Sequence, residues 1–279
     1  MPAFNAAQYL DECLASVTPA ASKAGPWEIV VVDDGSTDAT ADIAAAWALR
    51  DARVRLVHLR KNRGLSVARN RGLGQCRGRF VHFLDADDRL APALLSDVVE
   101  MASTKNLDIA HFDAGVFIDM SDAPATAEQY AAYYRRPPTY SEVTTGTALA
   151  LELLENDHWR SSACLQLFSR SFLRAHRLSF ARGLLHEDNL FTAEANAVAR
   201  RVAHVAVPAY ERRIRAGSIT TSAVTERHVA SLRAIARRLS RRAQRASGQD
   251  RELFDRLSAR LANDAELASA RLAASRASR

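Results

Sequence analysis

The sequence predicts an α/β fold, a sheet with helices on its faces, followed by a helical C-terminal extension. Three observations predict it. Short apolar runs rich in β-branched residues recur at 28–32 (EIVVV), 54–59 (VRLVHL) and 80–84 (FVHFL). Each passes into a polar segment, as a buried strand running into a loop does. Stretches of helix-forming residues alternate with them, and strands alternating with helices build sheets covered on their faces. With 279 residues, 48% of them hydrophobic, the chain can bury a substantial core.

In chain order, the strand at 28–32 leads through DDGSTDAT into a helix over 37–49. The run at 54–59 precedes KNRGLSVARNRGL, and that at 80–84 precedes DADD. A helix over 92–105 is entered through Pro92, whose missing amide costs nothing in a first turn. A strand region follows at 107–118. The segment 119–146 is broken by prolines and carries YYRRPPTY. It reads equally as an excursion lining an acceptor pocket and as a surface loop with packed aromatics. A helix at 148–156, a strand at 165–169, a short helix at 171–178, a helix within 186–199 and a final strand at 202–210 complete the pattern.

Beyond it, Val229, Leu232, Ile235 or Ala236, and Leu239 recur at helical spacing, with arginines on the other faces. Gly248 separates this helix from a second one containing Leu253, Phe254, Leu257 and Leu261. The apolar spacing is not sustained as heptads, and no tandem repeat is present.

Composition narrows the function classes. Cys13, Cys76 and Cys164 have none of the spacings of a zinc or dithiol redox site, so reduced thiols are expected. No apolar run approaches the ~20 residues of a membrane span, and the start lacks the pattern of a signal peptide. The expected location is cytoplasmic. The formal charge of +6 is weighted toward the region beyond Arg212, with Arg237, Arg238, Arg241, Arg242 and Arg245 prominent. That arginine face reads as a solvated helix surface or as a contact for anionic lipid at the inner face of the cytoplasmic membrane. Nucleic acid is disfavoured, because no base-stacking module or DNA-reading motif accompanies the charge.

Ligands of open α/β sheets gather beyond the carboxyl ends of the strands. That rule places Asp33, Asp34, Asp85, Asp87 and Asp88 at one crevice. Such crowded carboxylates need exposure or positive partners. Asp85 and Asp87 can share a divalent ion, and oxygen-only ligands favour Mg²⁺ or Mn²⁺. A solvated turn, with Asp85 or Asp88 capping the helix at Pro92, explains the same residues. Asp33 suits a base or ribose hydrogen bond, while Ser36, Thr37 or Asp38 suits a helix cap. Arg69 and Asn70 face nucleotide or brace the crevice. No P-loop and no GxGxxG is present. HEDNLF offers Glu187 and Asp188 as general-base candidates, with an acidic first helical turn as the structural alternative. Arg213, Arg215 and Ser218 stand in a basic loop able to meet a diphosphate.

Taken together and in this order, PAFNA, VVVDDGSTD, NRGLSVARNRGL, FLDADD, HEDNLF and RRIRAGSIT resemble the family 2 glycosyltransferases with a GT-A fold, of bacterial cell-envelope or polysaccharide type. The resemblance spans residues 2–222. It implies a Rossmann-like catalytic domain over 1–222 with a mixed central sheet, and a basic helical extension over 223–279. It also implies inverting transfer of a sugar from a nucleotide diphosphate donor, usually a UDP-sugar, to a hydroxyl of a glycan or lipid-linked acceptor.

On the matching residues, Asp33 falls to the nucleotide base, Asp85 to ribose or the metal-bound donor, and Asp87 to the metal. Asp188 falls to the catalytic base with Glu187 in support. Pro2, Phe4, Arg69, Arg213 and Ser218 fall on the donor side. A second copy of the chain is a further candidate partner. Two departures stand out: the apolar first strand that normally precedes Pro-x-x-Asn is expected to be missing or truncated, and Ala7 stands where Glu is common. The rival expectation is therefore a nucleotide-sugar-binding protein with reduced or no transfer.

Overall fold

The computed structural model describes residues 1–17, 26–118, 130, 132–215 and 223–277. Its strands form two sheets. The first is parallel, in the order β1 (Pro2–Ala3), β2 (Ile29–Asp33), β3 (Val54–His58). Helices α1 (Ala7–Val17) and α2 (Thr40–Arg50) make its crossovers, and α3 (Leu65–Leu73) follows β3. Every residue of β2 is buried, which explains its unbroken Ile-Val run, since a strand covered on both faces has no reason to alternate.

Beside β2 lies β1. Pro2 and Ala3 pair in parallel with Val32 and Asp33, and the Met1 amino group donates to the Val30 carbonyl at 3.0 Å. Strand β1 is two residues long. Helix α1 had not been anticipated; Leu10, Cys13 and Leu14, on one helical face, are its buried residues.

The DDGSTD segment serves two helices. Ala39, which precedes α2, makes no side-chain cap, but Asp38 Oδ1 accepts the N–H of Thr40, the first residue of α2, at 3.0 Å. In addition Asp38 accepts the Ala7 N–H at 3.1 Å, Thr40 accepts the Ala6 N–H at 2.8 Å and Ser36 accepts the Asn5 N–H at 3.0 Å. These bonds satisfy orphan donors at the start of α1 and fasten PAFNA to the loop after β2.

Gly35 makes this loop possible. Its φ is +72°, and an added Cβ would lie 2.5 Å from the Lys61 carbonyl carbon and 2.7 Å from the Asn62 nitrogen. Gly35→Ala is expected to cost about 1–3 kcal/mol. A shift in the denaturant midpoint at constant slope checks it.

The second sheet is mixed. It has the order β4 (Phe80–His82), β7 (Gln166–Ser169), β6 (Ile109–Ile118), β8 (Val202–Ile214), β5 (Arg89–Leu90), with β6 and β8 parallel and the other pairs antiparallel. Helices α4 (Pro92–Thr104), α5 (Gly146–Glu155), α6 (Arg170–Ala175) and α7 (Asp188–Val198) accompany it. Strand β8 continues past the expected end at 210 because β6 supplies partners as far as Ile118↔Ile214. Arg212 and Arg213 therefore sit on a strand, where a loose basic loop had been expected. Under α7 the core is aromatic: Phe180 stacks on Phe191 at 4.0 Å, and Phe83 meets both edge-on.

Of the 119–146 segment, 119–129 and 131 lie outside the described residues. The part that follows is packed: Arg136 pairs with Asp113 at 2.9 Å, and the Tyr140 hydroxyl meets His158 Nδ1 at 2.7 Å.

Helices α8 (Glu226–Ala243) and α9 (Gly248–Ala277) pack on each other and on the body. Val229, Leu232, Ile235, Ala236 and Leu239 are buried, and all but Val229 join one core with the second sheet and with Leu253, Leu257 and Leu261 of α9. The apolar stripe of α8 is thus committed to this molecule. Arg237, Arg238 and Arg241 remain exposed on its outer face, and Arg245 is exposed just beyond its end. No helix among the described residues is long and apolar enough to cross a membrane.

Candidate active site

The loop after β4 holds the aspartates, and the loops after β1 and β2 adjoin it. Together they line a cleft of about 320 Å³ that includes Pro2, Phe4, Asp34, Asp85, Asp87 and Arg212. Phe4 is an exposed aromatic ring on this lining.

Each aspartate has a defined partner. Asp87 receives both Nε and Nη2 of Arg215, at 3.0 and 2.9 Å, a planar fork-to-carboxylate contact. Asp88 is buried and accepts the Tyr210 hydroxyl and, at 2.7 Å, the Arg213 backbone N–H. Burial first, then the charges of Asp85 and Asp87, push its carboxyl up to about 7 against the opposing pull of Arg212. Asp88 thus ties the acidic loop to β8. The helix-cap alternative does not hold, since the residue preceding α4 is Ala91 and makes no side-chain cap.

Asp85 belongs to a second cluster built around Arg69. The guanidinium, 1% exposed, donates through Nη2 to Asp85 at 2.8 Å and through Nη1 to Glu187 at 2.7 Å and Asp188 at 2.6 Å. Helix α3 delivers it: Ser66, Arg69 and Asn70 stand at i, i+3 and i+4, hence on one face. Ser66 donates to the Ala181 carbonyl, and Asn70 exchanges two hydrogen bonds with the Phe180 backbone, each at 2.8 Å. Those bonds clamp the segment leading to Glu187 and Asp188 against α3. Arg69 is therefore placed beneath the cleft as the clamp of three carboxylates and does not line it.

One cation among three carboxylates leaves charge uncompensated, and the acids respond unequally. Burial alone would raise Asp85, but Arg69 and Arg212 outweigh it and hold Asp85 below the usual carboxylate range. Burial, reinforced by the adjacent Asp188, pushes Glu187 up to about 7. Asp188 is raised by burial against the pull of Arg69. Neither Glu187 nor Asp188 is among the residues that line the cleft; Asp188, one-fifth exposed, is joined to it through Arg69 and Asp85.

Two expected donor contacts are placed differently. Asp33 is fully buried, paired with His58 at 2.7 Å, its register partner on β3. Asp34 lines the cleft in its stead, accepting the Arg63 and Gly64 N–H groups at 2.9 and 2.7 Å. Arg213 borders the cleft, but its guanidinium bonds to the Asp87 carbonyl at 2.7 Å and to Glu12 and lies 4.9 Å from the Tyr9 ring centre. Ser218 lies outside the described residues.

The sequence reading had also missed Arg212, which lines the cleft with its guanidinium 5.9 Å from the Tyr134 ring. The alternation Tyr210, Arg212 along a strand was the available signal, hidden because that stretch read as loop.

Among the described residues no group of three His, Cys, Asp or Glu side chains forms a metal site on its own. Asp85 and Asp87, each about one-quarter exposed toward the cleft, fit an ion that takes one or two carboxylates from protein and its other oxygens from phosphates and water.

Comparison with known proteins agrees with this architecture. The family model described as Glycosyl transferase family 2 matches residues 1–174. The protein EpsH of Bacillus subtilis is 32% identical over 225 residues, covering 77% of this chain and 60% of its own. The succinoglycan biosynthesis protein ExoO of Rhizobium meliloti is 33% identical over 201 residues, 69% of this chain and 54% of its own. The chain thus spans little more than half the length of these relatives. Among solved structures, TarS 1–349 of S. aureus in complex with UDP-GlcNAc superposes with a TM-score of 0.68 at 23% identity, over 92% of this chain and 68% of that one. The mixed α/β fold, the acidic cleft and the extent of the family match lead to one assignment: the chain belongs to glycosyl transferase family 2.

Proposed function

We propose that the chain transfers a sugar from a nucleotide diphosphate donor, a UDP-sugar, to a hydroxyl of a glycan or lipid-linked envelope acceptor, with inversion at the anomeric carbon. The observation that carries this reading is the Arg69 clamp, which bonds a cleft aspartate and the acidic pair through one guanidinium. Through Asp85 it ties the acidic pair to the cleft.

Pro2 and Phe4 offer the nucleoside an apolar edge and an aromatic face, with Asp34 at hydrogen-bonding depth. Asp188 takes the proton of the acceptor hydroxyl as it attacks the anomeric carbon from the side opposite the nucleotide. A single displacement of this kind inverts the configuration. Arg212 and Arg215 bring positive charge to the side from which the diphosphate leaves. Asp87, with Asp85, would hold Mg²⁺ or Mn²⁺, which when bound offsets charge on a departing diphosphate. The exposed arginine face of α8 is suited to anionic headgroups around a lipid-linked acceptor.

A panel of UDP- and GDP-sugars with hydroxyl acceptors, read by product mass and by the anomeric configuration of the product, tests the reading. Retained configuration, or no turnover with any donor while UDP binds, would overturn it. Asp87→Asn is expected to weaken Mn²⁺-dependent UDP binding by roughly tenfold or more, about 1.4 kcal/mol per decade, with the melting temperature little changed. Calorimetric titration of UDP with and without Mn²⁺ measures it.

A further inference from the structure

Helix α8 lies beyond the segment that the family model matches, yet it touches the residues immediately before the acidic pair. The buried Ser231 accepts the Leu185 N–H at 3.1 Å. The His228 ring lies 5.5 Å from that of His186. His228 is itself fixed: its Nδ1 accepts the Thr225 N–H at 3.1 Å, and Thr225 and His228 together form the capping box that starts α8.

His186 needs holding. Its φ is +58°, a left-handed conformation that residues other than Gly rarely adopt unless the surroundings over-determine it. That conformation turns the chain so that Glu187 and Asp188 open α7 facing Arg69. The His186 carbonyl then accepts the Asn189 N–H and the Asn189 side-chain amide, both at 3.1 Å, closing the turn from the other side. Further along, Arg242 of α8 bonds Glu194 of α7 at 2.6 Å, so the two helices are joined at a second point.

We propose that α8 is a positioning element of the catalytic apparatus: Ser231 and His228 hold the Leu185–His186 turn that delivers Asp188 to the Arg69 clamp. The proposal rests on the reading of Asp188 as the base. It gives the C-terminal helices a part in turnover and makes Ser231 and His228 positioning residues, since neither touches the reacting atoms.

The test uses the full chain with Ser231→Ala, Ser231→Thr, His228→Phe and Asp188→Asn. Hydrogen exchange is followed at Leu185, and UDP release is measured from UDP-GlcNAc and UDP-glucose. Ser231→Ala should speed exchange at Leu185 by at least about tenfold while exchange in β2 and β6 stays unchanged. It should lower kcat about tenfold and leave the donor KM within about twofold. Ser231→Thr, which keeps the hydroxyl, should restore both. His228→Phe, which keeps a ring against His186 and loses the cap, should give a smaller change in the same direction.

Unchanged exchange at Leu185 in Ser231→Ala overturns the proposal whether or not either donor turns over. So does wild-type kcat in Ser231→Ala when Asp188→Asn is inactive. Wild-type kcat in Asp188→Asn overturns instead the assignment of the base, a separate failure. A merely structural role predicts faster exchange throughout the fold and parallel changes in KM and kcat.

Discussion

Asp188→Asn is expected to lower turnover by roughly 10²–10⁴-fold, the usual contribution of a positioned general base, with UDP affinity held within about twofold. The substitution isolates chemistry from folding. The asparagine amide oxygen can still accept from Arg69, and the change removes one of three negative charges gathered on a single guanidinium. The folded state therefore loses repulsion along with attraction, and the melting temperature should not fall.

The pH profile offers an independent check on the same residue. A base must be unprotonated, so turnover should be lost as pH falls through the pKa of Asp188, which burial raises above the ordinary carboxylate value. The acid limb should lie correspondingly high. An acid limb no higher than the ordinary carboxylate range, or full turnover in Asp188→Asn, would remove Asp188 from the mechanism.

What could be read from the sequence and what could not divide along a physical line. Ile29–Asp33 was legible because burial on both faces demands an unbroken apolar run. Helix α8 was legible because its buried face recurs at helical spacing. The acidic residues of the site were legible as residue types at the ends of apolar runs.

Their partners were not. Arg69 meets Glu187 and Asp188 across separations of 118 and 119 residues, and no local pattern encodes a pairing of that range. The same holds for Asp33, turned to His58 by strand register, and for Arg213, drawn behind the acidic loop by Asp88 and Glu12. Sequence proximity to a cleft names the candidates. Only the tertiary hydrogen bonds decide which of them face it.

The largest effect on the fold is expected at Arg69. Arg69→Met keeps the apolar stem beside Phe180 and removes the charge, leaving three carboxylates facing one another with their shared partner gone. Breaking a buried pair by removing one member typically costs about 3–5 kcal/mol, and here one member serves three. Turnover should be lost as well, since Asp188 is no longer held toward Asp85.

The sign of the pH dependence distinguishes this cause from lost packing. Without Arg69 all three folded-state carboxyl pKa values lie above their unfolded values. The stability associated with binding those protons is then present at low pH and is lost as pH rises. In the wild type Asp85 behaves oppositely, since Arg69 holds it below the usual range. The stability gap between wild type and Arg69→Met should therefore be widest near pH 8 and narrow steadily toward pH 5, as measured by urea titrations across that range.

Adding Glu187→Gln and Asp188→Asn to Arg69→Met should recover part of the loss, because neutral amides remove the repulsion. A gap that does not vary with pH, or a triple variant no more stable than Arg69→Met, would mean that the guanidinium acts by filling space. In that case the acidic pair and the cleft aspartate would owe their meeting to the Ser66 and Asn70 bonds of α3 alone.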